Sequence, residues 1–232
     1  NDAKVFQNMQ KDFDSIIVKD LNNKKLIFSK DENQILRPAS LTKIMTAMLA
    51  IESGKMNSIV TITPEMKKVE PTVANFKVGE KFYLKDLVHA AMIKSANDAA
   101  NSIAIYLGNG SKQKFVSMMN LKAKKLGMKN TNFTNPCGFD IGNHSSTAND
   151  LLKLTEYAIK NKTFNSIVKL EKYAFNAINT KSRYMVHSSN KLLSNEPYIV
   201  GIKTGYTNEA GACLIARAKN SSKDVLMVML NV

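Results

Sequence analysis

The sequence predicts an α/β fold: one antiparallel sheet built from both ends of the chain and flanked by helices, with a mostly helical lobe inserted between them. Three observations lead there. β-rich runs lie near both termini, the stretch between them repeats apolar residues at helical spacing, and the last three strand-like runs are joined by connections short enough for antiparallel neighbours.

Taken in order, Ser15 to Lys19 and Lys25 to Phe28 flank Asp20-Leu21-Asn22-Asn23, whose Asp and Asn favour a tight turn, so the chain opens on a hairpin. From Leu41 the residues Leu41, Ile44, Met45, Met48 and Ile51 recur at helical spacing and Gly54 is a stop, which places a helix start at Ser40. Leu84 to Ile93, Asp98 to Leu107, Lys112 to Leu126 and Leu151 to Ile159 carry the same pattern. Strand patterns return at Tyr173 to Ile178, Tyr184 to His187, Tyr198 to Lys203, Ala212 to Ala218 and Val225 to Leu230. No repeat, low-complexity tract or linker interrupts the chain. Residues 1–232 are therefore expected to form one unit, with an α/β lobe of 1–63 plus 170–232 and a helical lobe of 64–169.

Composition sets limits. With 232 residues, 44% hydrophobic and 22% charged, the chain can bury a substantial core without staples. No apolar run approaches a membrane span, and Asn1-Asp2-Ala3-Lys4 has no signal-peptide character, so an exported protein would have lost its signal. Cys137 and Cys213 permit one disulfide without arguing for it, and Cys213, in a strand-like stretch, reads as a buried free thiol. The net charge of +14 comes from lysines dispersed along the chain, with arginine only at Arg37, Arg183 and Arg217. Dispersed lysine reads as a solvated surface suited to anionic wall polymers or membrane faces, not as a nucleic-acid stripe.

Three short motifs carry the chemistry. Ser-x-x-Lys occurs four times, starting at Ser40, Ser111, Ser166 and Ser188, but only the first follows Arg37-Pro38-Ala39 and opens an apolar helical run. Ser95-Ala96-Asn97 comes next, and Lys203-Thr204-Gly205, the sole Lys-Thr-Gly, sits in a strand pattern. In this order the three resemble the penicillin-binding protein and serine β-lactamase superfamily. The surrounding blocks RPASLTKIMTAMLAIE, IKSANDAA, TNFTNPCGFD, HSSTANDLLKL and GIKTGYTNEAGACLIA resemble the D-alanyl-D-alanine carboxypeptidases, the low-molecular-mass penicillin-binding proteins. The resemblance implies a β-lactamase/transpeptidase-like fold.

A serine hydroxyl needs a positioned base, and Lys43, three residues after Ser40 on one helical face, can reach it. Its pKa must first fall, through burial or a neighbouring cation, for which Lys203 is the candidate. Read without the other motifs, Ser40 is a helix N-cap, and either Ser95 or Asn97 is another. The resemblance implies that Ser95 relays a proton to the leaving amine and that Asn97 hydrogen-bonds a substrate amide. Thr204 and Lys203 suit a substrate carboxylate, Gly205 leaves room for substrate lying along the strand, and the backbone N–H groups of Ser40 and Tyr206 suit an oxyanion hole. Asn135-Pro136-Cys137-Gly138 reads as a turn and Ser146-Thr147 as a helix cap.

The function so implied is a serine DD-peptidase, exported to the periplasm or the outer face of the cytoplasmic membrane. It would trim peptidoglycan stem peptides without a cofactor or metal, and β-lactams would trap it covalently. A DD-endopeptidase cutting cross-links uses the same motifs, and a catalytically weak wall-binding module is a third reading. A class A β-lactamase is disfavoured because no Glu precedes the Leu-Asn pair of its deacylating loop and Ser-Ala-Asn replaces Ser-Asp-Asn. A Ser-His-Asp hydrolase lacks its Gly-x-Ser-x-Gly elbow. Carboxypeptidases of this family usually continue past the last strand into a packing helix and a membrane anchor, whereas this chain stops at Asn231-Val232. Trimming, disorder or a short branch would each account for that.

Overall fold

A computed structural model describes residues 13–232, so the reading made of Asn1 to Lys4 lies outside the described residues. The opening hairpin pairs β1 (Ser15–Asp20) with β2 (Lys25–Lys30). Its turn is an Asx turn, in which Asp20 Oδ1 accepts from the backbone N–H groups of Asn22 and Asn23. The C-terminal strands β7 (Ile199–Thr207), β8 (Gly211–Lys219) and β9 (Asp224–Leu230) form a meander. β9 then aligns beside β1 with Ser15 opposite Leu230, which closes a five-stranded antiparallel sheet in the order β2-β1-β9-β8-β7. Both ends of the chain thus build one sheet, as the sequence predicts.

Tyr173 to Ile178 and Tyr184 to His187 are strands, β5 (Lys172–Asn176) and β6 (Arg183–His187), but they stand apart from that sheet as a separate hairpin. A second small hairpin, β3 (Ile59–Thr61) with β4 (Lys81–Tyr83), is too short to leave a sequence pattern. The two hairpins meet through an aromatic cluster. Phe82 lies 4.7 Å from Phe76 and 5.7 Å from Phe175, and Phe175 stacks on Tyr184 at 5.4 Å.

The first helix is α1 (Lys43–Glu52), and its start differs from expectation. Ser40 lies in a 3₁₀ turn, Ala39–Thr42, so the α-helix begins at Lys43 and Ser40 caps nothing. α1 is buried almost all round, with Lys43, Thr46, Ala47 and Ala50 inside as well as the apolar stripe. It runs through the middle of the molecule, packed by α2 (Leu84–Ile93), α3 (Asn97–Leu107), α4 (Lys112–Lys125), α5 (Ala148–Ala158) and α6 (Lys162–Val168). α5 also lies on β1 and β9, and α6 on β7, so these two join the helical middle to the sheet. α6 and the one-turn α7 (Leu192–Asn195) escaped the sequence reading because one or two turns carry no periodicity. Among the described residues no helix is long and apolar enough to cross a membrane.

Thr147 is the cap expected of it, accepting the Asp150 N–H at 3.0 Å. Thr147→Ala is expected to lower the unfolding free energy by about 1 kcal/mol. Phe82→Ala, which empties the centre of the aromatic cluster, is expected to lower it by about 3–5 kcal/mol. Denaturant titration of both variants checks this ordering.

Candidate active site

The three motifs line one cleft of about 810 Å³, between the 3₁₀ turn of Ser40, the Ser95 connection from α2 to α3, and the edge strand β7. Ser40, Ser95, Asn97, Thr204, Gly205 and Tyr206 all contribute to its wall. Lys43 and Lys203 lie directly beneath, 0% and 1% exposed.

Two residues beside the reactive groups hold a left-handed backbone: Ala39 with φ +50° and Ser95 with φ +63°. Such conformations cost a non-glycine residue on the order of 1 kcal/mol or more and persist only where the surroundings impose them. At Ala39 the surroundings are the 134–146 segment. Gly138 lies so close that a Cβ there would come 1.9 Å from the Ala39 carbonyl oxygen. His144 accepts the Thr134 N–H on Nδ1 at 3.0 Å, so its proton is on Nε2, which donates to Thr42 Oγ1 at 2.8 Å. Burial, followed by the Arg37 charge, pushes the His144 pKa down to about 4, so the ring stays neutral and keeps this tautomer. Arg37 donates to the Gly142 and His144 carbonyls, and Thr46 Oγ1 donates to the Pro136 carbonyl at 2.8 Å.

Lys43 Nζ points at three acceptors: Ser40 Oγ at 2.9 Å, the Cys137 carbonyl at 3.0 Å and Ser95 Oγ at 3.3 Å. Burial lowers its pKa from 10.5 to about 8. Burial acts first on both amines, and Lys203 is held well below its ordinary value by burial and then by the charge of Lys43. Lys203 Nζ donates to the Thr204 carbonyl at 2.7 Å.

Neither Ser95 nor Asn97 caps α3, whose N-cap is Ala96 without a side-chain bond. Asn97 Nδ2 instead donates to the carbonyls of Glu70 and Pro71, each at 3.0 Å, and its backbone N–H to Thr72. Asp98 accepts the N–H groups of Ala74 and Asn75. The motif thereby fixes the 70–75 segment as one wall of the cleft. Asn97 Oδ1 is the atom left to meet an incoming N–H.

Gly205 lines the cleft and has a further reason to be small. A Cβ there would lie 2.8 Å from Ser40 N and 3.2 Å from Ala39 Cβ, so the glycine lets β7 pack on the turn of Ser40. Thr204 Oγ1 shares a 2.7 Å hydrogen bond with Ser189 Oγ, a cleft residue that the sequence analysis did not single out. Cys137 Sγ donates to the Asn97 carbonyl at 3.4 Å, and burial pushes its thiol up to about 11, the opposite of a reactive cysteine. Both cysteines are free and buried. Among the described residues no three metal-ligating side chains gather.

Residues 2–232 match the sequence profile of the D-alanyl-D-alanine carboxypeptidase family. The chain is 32% identical over 237 residues to the D-alanyl-D-alanine carboxypeptidase DacF of Bacillus subtilis, covering 98% of this chain and 59% of that protein. It is also 32% identical to a D-alanyl-D-alanine endopeptidase of Escherichia coli, over 94% of this chain and 70% of that one. Its fold is similar to a crystal structure of a Streptomyces K15 DD-transpeptidase mutant, with a TM-score of 0.89, 29% identity, and coverage of 94% and 90%. With the profile spanning nearly all of it and two such relatives matched over most of its length, this chain belongs to the D-alanyl-D-alanine carboxypeptidase family.

Proposed function

We propose that the chain is a penicillin-sensitive serine D-Ala-D-Ala carboxypeptidase that trims peptidoglycan stem peptides outside the cytoplasmic membrane. The observation that carries this reading is the buried Lys43 amine held between Ser40 Oγ and Ser95 Oγ. Ser40 Oγ attacks the carbonyl carbon of the penultimate D-alanine as its proton passes to neutral Lys43. Charge develops on the carbonyl oxygen beside the Ser40 and Tyr206 N–H groups. Ser95, bonded to the same amine, delivers the proton to the departing D-alanine nitrogen, and water then hydrolyses the Ser40 ester. A β-lactam carbonyl enters by the same route.

Electrostatics link binding to attack. The terminal carboxylate of the substrate docks on Thr204 and Lys203 and favours the protonated form of Lys203. The regained charge then repels the proton on Lys43, so substrate binding itself favours the free amine. The two lobes work as one catalytic unit, because the nucleophile turn and the carboxylate strand belong to one part and the Ser95 connection to the other. A strongly lysine-rich surface suits anionic wall polymers and membrane faces. A DD-endopeptidase is the second reading, supported by the 32% identity to the Escherichia coli endopeptidase.

A penicillin is expected to label Ser40 alone, checked by intact mass and peptide mapping. Label surviving in Ser40→Ala, or found on Ser111, Ser166 or Ser188, would refute the assignment. Acylation requires neutral Lys43, so its rate should climb with pH, level off above about 8 and fall about tenfold per unit below. Lys43→Arg, protonated at every accessible pH, should lose roughly 10²–10⁴-fold. Rates of D-alanine release from free pentapeptide and of cleavage of a cross-linked dimer separate the two readings. Rapid dimer cleavage with negligible D-alanine release selects the endopeptidase.

A further inference from the structure

The helix α4 is basic from end to end. It carries Lys112, Lys114, Lys122, Lys124 and Lys125 and no acid. Every other described helix of ten residues or more has an acid: Glu52 in α1, Asp86 in α2, Asp98 in α3, and Asp150 with Glu156 in α5. We propose that the outward face of α4 is a docking surface for an anionic lipid bilayer, a contact made by the catalytic unit itself and independent of the chemistry in the cleft.

The inward face already accounts for how α4 is held. Phe115, Met119 and Ala123 are buried in the core, and Asn120 exchanges two 2.8 Å hydrogen bonds with the backbone of Phe133. The outward lysines add nothing to that packing. Helix electrostatics explain only those at one end: Lys122, Lys124 and Lys125 suit the negative C-terminal turn, whereas Lys112 and Lys114 sit in the first turn, where a carboxylate would be the stabilising choice.

Lys114, Met118, Leu121 and Lys125 follow one another at spacings of four, three and four residues, so they form a single row along the outward face. Met118 is 36% exposed and Leu121 55%, with an exposed lysine at each end of the pair. Lys122 is neutralised by Glu52 at 3.2 Å, but among the described residues Lys114, Lys124 and Lys125 have no ion-pair partner. Past the end of the helix the positive field continues, with Lys129 exposed and Lys153 Nζ donating to the Gly127 carbonyl at 3.0 Å.

Charge sets the sign of the partner, and the apolar pair sets its kind. A soluble polyanion would engage the lysines and leave Met118 and Leu121 in water. A bilayer offers anionic headgroups to the lysines and, just beneath them, an apolar boundary to the pair, while the lysine stems lie along the pair and keep their ammonium groups at headgroup level.

The test is co-sedimentation of the full chain with vesicles of phosphatidylcholine, with and without phosphatidylglycerol. The wild type should pellet with the anionic vesicles alone, and less as salt is raised. Lys114→Gln/Lys125→Gln should lower the partition coefficient at least about tenfold, and Met118→Ser/Leu121→Ser by about tenfold. Lys172→Gln/Lys223→Gln removes the same charge from β5 and from the turn between β8 and β9, and should change binding little. All of these positions are exposed, so the variants should melt with the wild type. A wild type that ignored anionic vesicles, or an equal loss in Lys172→Gln/Lys223→Gln, would overturn the docking surface. Vesicle binding left unchanged by Met118→Ser/Leu121→Ser and competed away by soluble polyphosphate would also overturn it, and would assign the face to wall polymers.

Discussion

The structure depends on keeping one primary amine out of water. Lys43 is fully buried in the first turn of α1, at the centre of the helical core, and each N–H of its ammonium has one acceptor. A fall in pKa from 10.5 to about 8 corresponds to about 3 kcal/mol against the charged form. The folded-state value of this base lies below its unfolded one, so the cost to stability is present in full below about pH 8 and fades as pH rises toward 10.5. The proposed attack by Ser40 would use that neutral amine, bonded to the serine hydroxyl at 2.9 Å. Stability and reactivity are opposed at this residue.

The 134–146 segment resolves the opposition mechanically. One stretch supplies the Cys137 carbonyl to Lys43, the Pro136 carbonyl to Thr46, the His144 ring to Thr42, and the missing Cβ of Gly138 to the carbonyl of Ala39. Ala39 and Ser95 stay in the left-handed region because these contacts, and the Asn97 and Asp98 bonds to the 70–75 segment, leave no room to relax. Asn135 organises the segment from within, its Oδ1 accepting the N–H groups of Cys137, Gly138 and Phe139. The loops of the site are tied to α1 and to each other.

The charge distribution has the same logic at larger scale. Two buried amines beneath the cleft cannot both hold protons comfortably, and both are lowered from their ordinary values.

Order and type of the longer elements were written in the sequence, because period-2 and period-3.6 patterns arise within a few residues of one another. The closure of the sheet by both termini was legible for the same reason. The order of Ser40-x-x-Lys43, Ser95-x-Asn97 and Lys203-Thr204-Gly205 with their flanking blocks identified the family. Tertiary structure decided the rest. Only packing shows that β5 and β6 leave the main sheet, that Ser40 precedes its helix in a 3₁₀ turn, and that Gly205 is small for the sake of Ser40 and Ala39. Carbonyls such as those of Cys137, Pro136 and Glu70 act in the site as backbone atoms that every residue type carries. Sequence identity therefore leaves no trace of their roles, which depend on where the folded chain brings them.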